Sequence, residues 1–307
     1  MEHHPPEIHV ESHAPPKSAR KLAIVATLTG LFMLVELIGG YYANSLALLS
    51  DAGHMFVDLS GLVLAATAAA LAQRPADRKR TFGYRRAEVL GAFFNGTLLC
   101  GLVLFVLWES MNRLFTPEPV DGWLMLWIAA GGLLFNIIAG IVLLRGADRE
   151  RDINLRGALV NVIGDALGSV GALAGALLVI FLGWNWADPA IGLLIAILIA
   201  FNAVRLLRET LAILLQSVPP RIDLNDVLKA VSGVDGVASV HDIHVWAMAP
   251  GDETLTLHVV LKDKNAMLRW DAILIDINRV LNERFKLYHN IIQPELDAGK
   301  HPEIKHL

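Results

Sequence analysis

His54 and Asp58 stand four residues apart inside the apolar stretch SDAGHMFVDLSG. On a helix that spacing is about 40° of rotation and about 6 Å of rise, close enough for an imidazole and a carboxylate to share one ion. Ionisable groups in a bilayer core cost on the order of a few kcal/mol each, so they mark a path or a site. A second pair with the same spacing, Asn161 and Asp165, lies in another apolar stretch. Two facing pairs of nitrogen and oxygen ligands can make a four-coordinate site for a divalent metal. The pattern points to a metal path through a membrane.

Blander readings of the same residues exist. A buried His–Asp pair can be an interhelical hydrogen bond, and Asn often serves as interhelical glue, which leaves liganding by Asn161 open. Asp51 could ligate, but reads better as a group on the ion's way in or as a carboxylate at a helix N-terminus. Glu36, Glu88 and Glu109 read as interface or helix-end groups.

The elements that position these residues are apolar spans of roughly 20 residues or more. Six stretches qualify, at about 22–42, 47–72, 89–115, 122–145, 156–183 and 189–215. The connections alternate in charge. Lys17, Arg20 and Lys21 precede the first span, and Arg74, Arg78, Lys79, Arg80, Arg85 and Arg86 follow the second. Arg145, Arg149, Arg151 and Arg156 follow the fourth, and Arg205 and Arg208 end the sixth. The opposite loops, YYANS, TPEPVDG and GWNWADP, hold no Lys or Arg, with Arg113 the nearby exception. The positive-inside rule therefore predicts both termini in the cytoplasm, and Trp123, Trp127, Trp184 and Trp186 form an aromatic belt at the outer ends. Gly164, Gly168 and Gly171 predict close approach of another helix to the fifth span.

Hydrophobic residues make up 54% of the 307, and the mean hydropathy is +0.50, too apolar for a soluble domain. A net charge of −4 gives no basic surface for nucleic acid. Cys100 is the sole cysteine, which excludes an intramolecular disulfide and a CxxC metal site. His and Pro occupy the first residues, where a signal peptide needs a basic region and an apolar core. His3, His4, His9 and His13 lie in a polar tail that reads as disordered, either a metal collector or a neutral extension.

Residues 218–307 read as an ordinary α+β domain. A short helix is predicted at 223–232, strands at 237–247 and 254–261 around the turn APGDE, a helix at 266–285 and a strand at 288–293. Alternation places His244 on the opposite strand face from His241. A domain of this size is marginal alone, so dimerisation is expected.

SDAGHMFVD at 50–58, RTFGYRRAE at 80–88, VHDIHVWAMAPG at 240–251 and IIQPE at 291–295 resemble the cation diffusion facilitators, in their bacterial zinc/cadmium/cobalt efflux branch. The resemblance runs from about residue 20 to 295. It implies an α-helical membrane protein of six transmembrane helices with a C-terminal cytoplasmic α+β metallochaperone-like domain. It implies a homodimer in the cell inner membrane that exports a divalent cation, Zn²⁺ foremost, in exchange for protons, and binds further Zn²⁺ in the cytoplasmic domain. The corresponding domains are a tail at 1–20, the membrane domain at 21–217, the cytoplasmic domain at 218–298 and a tail at 299–307.

Carried over residue by residue, His54, Asp58 and Asp165 match the family's membrane ligands, and Asn161 stands where zinc members usually have His. An Asn carbonyl is a neutral, harder ligand that binds no proton near neutral pH, so Mn²⁺, Fe²⁺, Ni²⁺ or Co²⁺ is the alternative cargo. His241, His258, His289 and Glu295 fall where the family places cytoplasmic metal ligands. No catalytic residue or enzyme is implied. An intramembrane metalloenzyme is the remote alternative, and it lacks HExxH or a similar motif.

Overall fold

A computed structural model describes residues 17–144 and 153–296. The histidines of the N-terminal tail, the arginines at 145, 149 and 151, and the 299–307 tail lie outside the described residues. Six long helices come first: α1 (Lys17–Ala43), α2 (Leu46–Ala72), α3 (Ala87–Phe115), α4 (Gly122–Leu144), α5 (Ile153–Leu182) and α6 (Ala187–Leu214). Each is long and apolar enough to cross a membrane, and each covers the core of an expected span. Helices that long satisfy their own backbone, as a lipid environment demands. The chain divides into two compact units, one of residues up to 62 with 97–203, the other of 63–96 with the residues from 204 onward.

Within the first unit, α2 is fixed at its start. Asn44 takes a left-handed φ of 53°, which Asn tolerates better than other side chains. The chain reverses there in two residues, and α2 begins under a double cap. Ser45 Oγ accepts from Leu48 N at 3.2 Å. Asp188 accepts from Ser45 Oγ at 2.5 Å, Leu46 N at 2.6 Å and Ala47 N at 3.2 Å. These bonds satisfy donors that a helix N-terminus leaves orphaned. The bundle core is built of small residues, Ala43, Ala47, Ala129, Ala172 and Ala176 among them, with Met125 and Ile195 between. Phe32 of α1 stacks on Phe135 of α4 at 5.5 Å.

The expected aromatic residues stand where the α3–α4 and α5–α6 turns meet their helices: Trp123, Trp127, Trp184 and Trp186 are all exposed. Arg113, the charge exception, is held by Glu109 at 2.8 Å and by the Asn44 carbonyl at 3.0 Å. Its charge is paired with Glu109, and one terminal nitrogen also donates to the backbone and side-chain oxygens of Asn44 in the α1–α2 turn. Glu88 stands in the first turn of α3, at a helix end, whereas Glu109 lies inside α3 and pairs with Arg113. The glycines of α5 divide. An added Cβ at Gly168 meets Asp51 at 3.2 Å and one at Gly171 meets Ile191 at 3.4 Å, whereas Gly164 has nothing within 4 Å. Close approach is thus real at Gly168 and Gly171 and absent, within this unit, at Gly164.

In the second unit, a three-stranded sheet runs in the order β1 (Val237–Ala249), β2 (Asp252–Leu261), β3 (His289–Glu295). β1 and β2 are antiparallel, and β3 adds parallel to β2. Pro250 and Gly251 alone make the hairpin turn, Gly251 at φ 83°, so both strands run further into APGDE than expected. Pro294 is tolerated because β3 is an edge strand with one pairing partner. Helix α7 (Leu224–Ser232) is capped by Asp223. Val227, Val231, Ile273, Ile277 and Leu281 bury themselves against Leu255, Leu257 and Val259 of β2.

The single helix expected at 266–285 is two: α8 (Lys264–Leu268) and α9 (Trp270–Phe285). The Asp263 carboxylate caps α8 two residues earlier than expected, and Arg269 leaves the helical region at φ −104°, ψ 17°. Between spans two and three, Asp77 accepts the backbone N–H groups of Lys79 and Arg80, each at 2.7 Å. Those bonds hold its carboxyl below the usual carboxylate range and shape the basic loop. Arg85 of that loop pairs with Asp252 at 2.6 Å.

Candidate metal centres

α2 and α5 run antiparallel and meet in register. Asn161 Nδ2 lies 3.5 Å from Asp58 Oδ2. One turn along both helices, His54 presents Nδ1 to Asp165 Oδ1 at 3.8 Å, while its Nε2 faces Asp58 Oδ2 at 3.7 Å. One further turn along, Asp51 rests against Gly168. The contacts form three rungs, 58/161, 54/165 and 51/168, spaced by about 6 Å and then about 4.5 Å at 1.5 Å per residue. His54 is the shared member, with a carboxylate beside each ring nitrogen.

The structure therefore brings all four expected membrane residues together. It also brings one that was given another part. Ligand-capable atoms of Asp51, His54 and Asp165 lie within 4.8 Å of one another, whereas the role of helix N-terminal carboxylate belongs to Asp188. Of the two parts expected of Glu36, interface or helix end, its burial matches the interface. It lies inside α1 and is fully buried at 0% exposure. The sequence signal for both was weak, because it depends on how α1, α2 and α5 pack against one another.

In the sheet, His241 pairs in register with His258. Glu295 holds one carboxylate oxygen 3.0 Å from His241 Nε2 and the other 2.8 Å from His258 Nδ1. These three form a cluster with ligand atoms within 4.8 Å of one another. The face is opposite the helices, because the core residues Leu255, Leu257 and Val259 alternate with His258 along β2.

Two expectations fail here. His244 pairs with Thr256 and His241 with His258, so the two histidines share a face. A β-bulge at Asp242, φ 50°, absorbs one residue and cancels the alternation. The bulged Asp242 stands 3.0 Å from His244 and 3.6 Å from His258 Nε2. His289 does not join the cluster. It begins β3 opposite Thr254, six residues before Glu295, roughly 20 Å along a strand. There it lines a cavity of about 450 Å³ with Arg74, Arg85, Asp252 and Thr254.

Six membrane-spanning helices with a ladder of ionisable and polar side chains between two of them fit a multi-pass membrane protein of the transporter class. Residues 22–215 match the cation efflux transmembrane domain and residues 219–297 the cytoplasmic domain of cation efflux proteins. The chain belongs to the cation efflux family, whose members are transporters rather than enzymes. It is 40% identical to the metal cation efflux system protein CzcD of Cupriavidus metallidurans, over 95% of this chain and 93% of that one. It is 38% identical to the cadmium, cobalt and zinc/H(+)-K(+) antiporter of Bacillus subtilis, over 89% and 88%. Zinc transporter ZitB of Escherichia coli is 37% identical, over 96% and 93%. The metal-bound C-terminal domain of the CzcD transporter is 36% identical across 24% of this chain and 100% of that domain, with a TM-score of 0.23, too low to bear on the fold.

Proposed function

We propose that this chain exports a divalent cation, zinc foremost, from the cytoplasm in exchange for protons. The observation that carries this reading is His54 held between Asp58 and Asp165 inside apolar helices. Zn²⁺ enters onto deprotonated His54, Asp58 and Asp165, with Asn161 or water completing the shell. Side-chain exposure falls from 29% at Asp58 to 20% at His54, and Asp165 is buried, which supports access from the Asp58 end. Imidazole and carboxylate ligate only when deprotonated, so protons arriving from the other side displace the ion. Relatives named as zinc transporter and as cadmium, cobalt and zinc antiporter support the ion class.

The protein works as a homodimer in the cell inner membrane, both termini cytoplasmic, with its membrane domain at 21–217 and its cytoplasmic domain at 218–298. The alternation of basic loops supports that orientation. His241, His258 and Glu295 would hold a resident Zn²⁺ in the cytoplasmic domain. Their donor set of two imidazoles and a carboxylate suits zinc, and Asp242 beyond His258 supplies the outer carboxylate that often orients a ligating His. An ion held by these residues would tie β1, β2 and β3 together.

Asn161 favours a second reading, an exporter preferring Mn²⁺, Fe²⁺, Ni²⁺ or Co²⁺, since it brings no imidazole to the first rung. Uptake into inside-out proteoliposomes with an acidic lumen, run in parallel with Zn²⁺, Cd²⁺, Co²⁺, Ni²⁺, Mn²⁺ and Fe²⁺, tests both. Zinc uptake that collapses with the pH gradient supports the exchanger. Preference for manganese or iron selects the second reading, and flux indifferent to pH overturns proton exchange.

A further inference from the structure

The loop that joins α2 to α3, residues 73–86, carries six basic side chains against the single carboxylate of Asp77. It is folded tightly. Asp77 binds its own turn, and an added Cβ at Gly83, φ 70°, would stand 3.6 Å from the Arg74 carbonyl oxygen. Where this loop meets the first residues of β2 and β3, it closes a cavity of about 450 Å³. Arg74, Thr81 and Arg85 line it from the loop, and Asp252, Thr254 and His289 from the sheet. Thr254 and His289 are register partners. Thr254 lies four residues before His258, which puts it about 13 Å along β2 from the metal cluster. The cavity is a separate place.

Its lining suits an anion better than a metal. One carboxylate faces two guanidinium groups, and Arg85 already holds that carboxylate through Nη1 at 2.6 Å. A guanidinium has five N–H donors, so the pairing fixes the fork and leaves donors to spare. Among the described residues, the side chains of Arg74, Thr81, Thr254 and His289 have no hydrogen bond or ion pair of their own. We infer that this cavity binds a phosphate group between Arg74 and Arg85, with Thr81, Thr254 and His289 as further donors. Guanidinium forks match two phosphate oxygens at once. Two sources carry the group, an anionic phospholipid headgroup or free phosphate, and the position favours the lipid. At 27 residues α2 is about 40 Å long, the depth of a bilayer with its headgroups. Ala72, the last residue of that span, and the exposed Phe82 give the cavity an apolar edge. A headgroup bound there would hold the loop to β2 and β3, the strands that carry His258 and Glu295.

The test uses the full-length protein, delipidated in detergent and kept in chelator so that no metal bridges the anion. Dioleoylphosphatidylglycerol is titrated in and its adducts are resolved by native mass spectrometry, while inorganic phosphate is followed by titration calorimetry. The lipid should bind about tenfold more weakly to Arg74→Gln and to Arg85→Gln than to the unaltered chain. Arg78→Gln removes the same charge from the same loop outside the cavity lining, and should leave binding unchanged. Inorganic phosphate bound with the same dependence on Arg74 and Arg85, without the lipid, keeps the site and assigns it to free phosphate. Equal weakening by Arg78→Gln and Arg74→Gln overturns the proposal, since the loop would then be only a diffuse basic surface. Indifference to Arg74→Gln, or no binding of either probe, overturns it as well. Arg74 is exposed and unpaired among the described residues, so its variant removes no contact of the fold, and gel filtration checks each protein. Neither readout involves metal flux, so failure here and failure of the export reading are distinct.

Discussion

Ser45 donates its hydroxyl to Asp188 at 2.5 Å, tying the first turn of α2 to the first turn of α6. Asp188 also takes the N–H groups of Leu46 and Ala47. The His54–Asp58 helix is thus anchored two turns from its ligands by one buried carboxylate. Asp188→Ala strands these donors in the bundle and should cost about 2–3 kcal/mol, whereas Asp188→Asn keeps an acceptor and should cost less. Thermal unfolding in detergent orders the two variants. Transport should fall with both, through misplaced α2 rather than through loss of a ligand, so metal binding at saturating ion should survive in Asp188→Asn.

Asp58→Ala and Asp165→Ala each remove one of the carboxylates flanking His54. Each should abolish proton-coupled metal uptake in proteoliposomes while the protein still inserts and elutes normally, since deleting a buried carboxylate relieves repulsion as well as removing a ligand. Normal flux in either variant would remove the ladder from the transport path.

Much of this was legible in the sequence. Spans announce themselves by length and apolarity, and the His54–Asp58 and Asn161–Asp165 pairs by ionisable or polar groups where lipid excludes them. What stayed hidden depends on contacts between elements. Gly164 and Gly168 look alike in sequence, yet Gly168 meets Asp51 and Gly164 meets nothing within 4 Å. Glu36 reads as an interface or helix-end residue, and only the packed bundle, in which it is fully buried, favours the interface. The strand period that placed His244 wrongly is a rule for unbroken ladders, and Asp242 at φ 50° breaks this one. Nothing in LKDKNAMLRWDAIL marks the helix break at Arg269, because helical periodicity continues across it. His289 carries the right side chain for a ligand but sits at the wrong end of its strand.

Asn161 points its amide nitrogen at Asp58 from 3.5 Å, a donor's posture rather than a ligand's. Asn161→His puts an imidazole on the first rung and should raise selectivity for Zn²⁺ over Mn²⁺ in competition uptake, because nitrogen ligands suit zinc and manganese prefers oxygen. It also adds a group that competes for protons, so flux in the variant should depend more steeply on lumenal pH. Unchanged selectivity would mean that Asn161 only braces Asp58.

The sheet cluster makes a separate prediction, because Glu295 bridges His241 and His258 across three strands. A bound ion at about 1,000 times its Kd stabilises its host by about 4 kcal/mol. Chelation should therefore speed amide hydrogen exchange in β1, β2 and β3 of the full-length protein, and leave α4 and α5 unchanged. His241→Ala and His258→Ala should reproduce the chelated pattern and become insensitive to chelator. His289→Ala should retain the metal effect, since that side chain lines the cavity beside Arg85 and Asp252 instead of facing Glu295. Equal loss of protection in His289→Ala and His258→Ala would place all three around one ion, and would require the His289 of a second protomer to supply it.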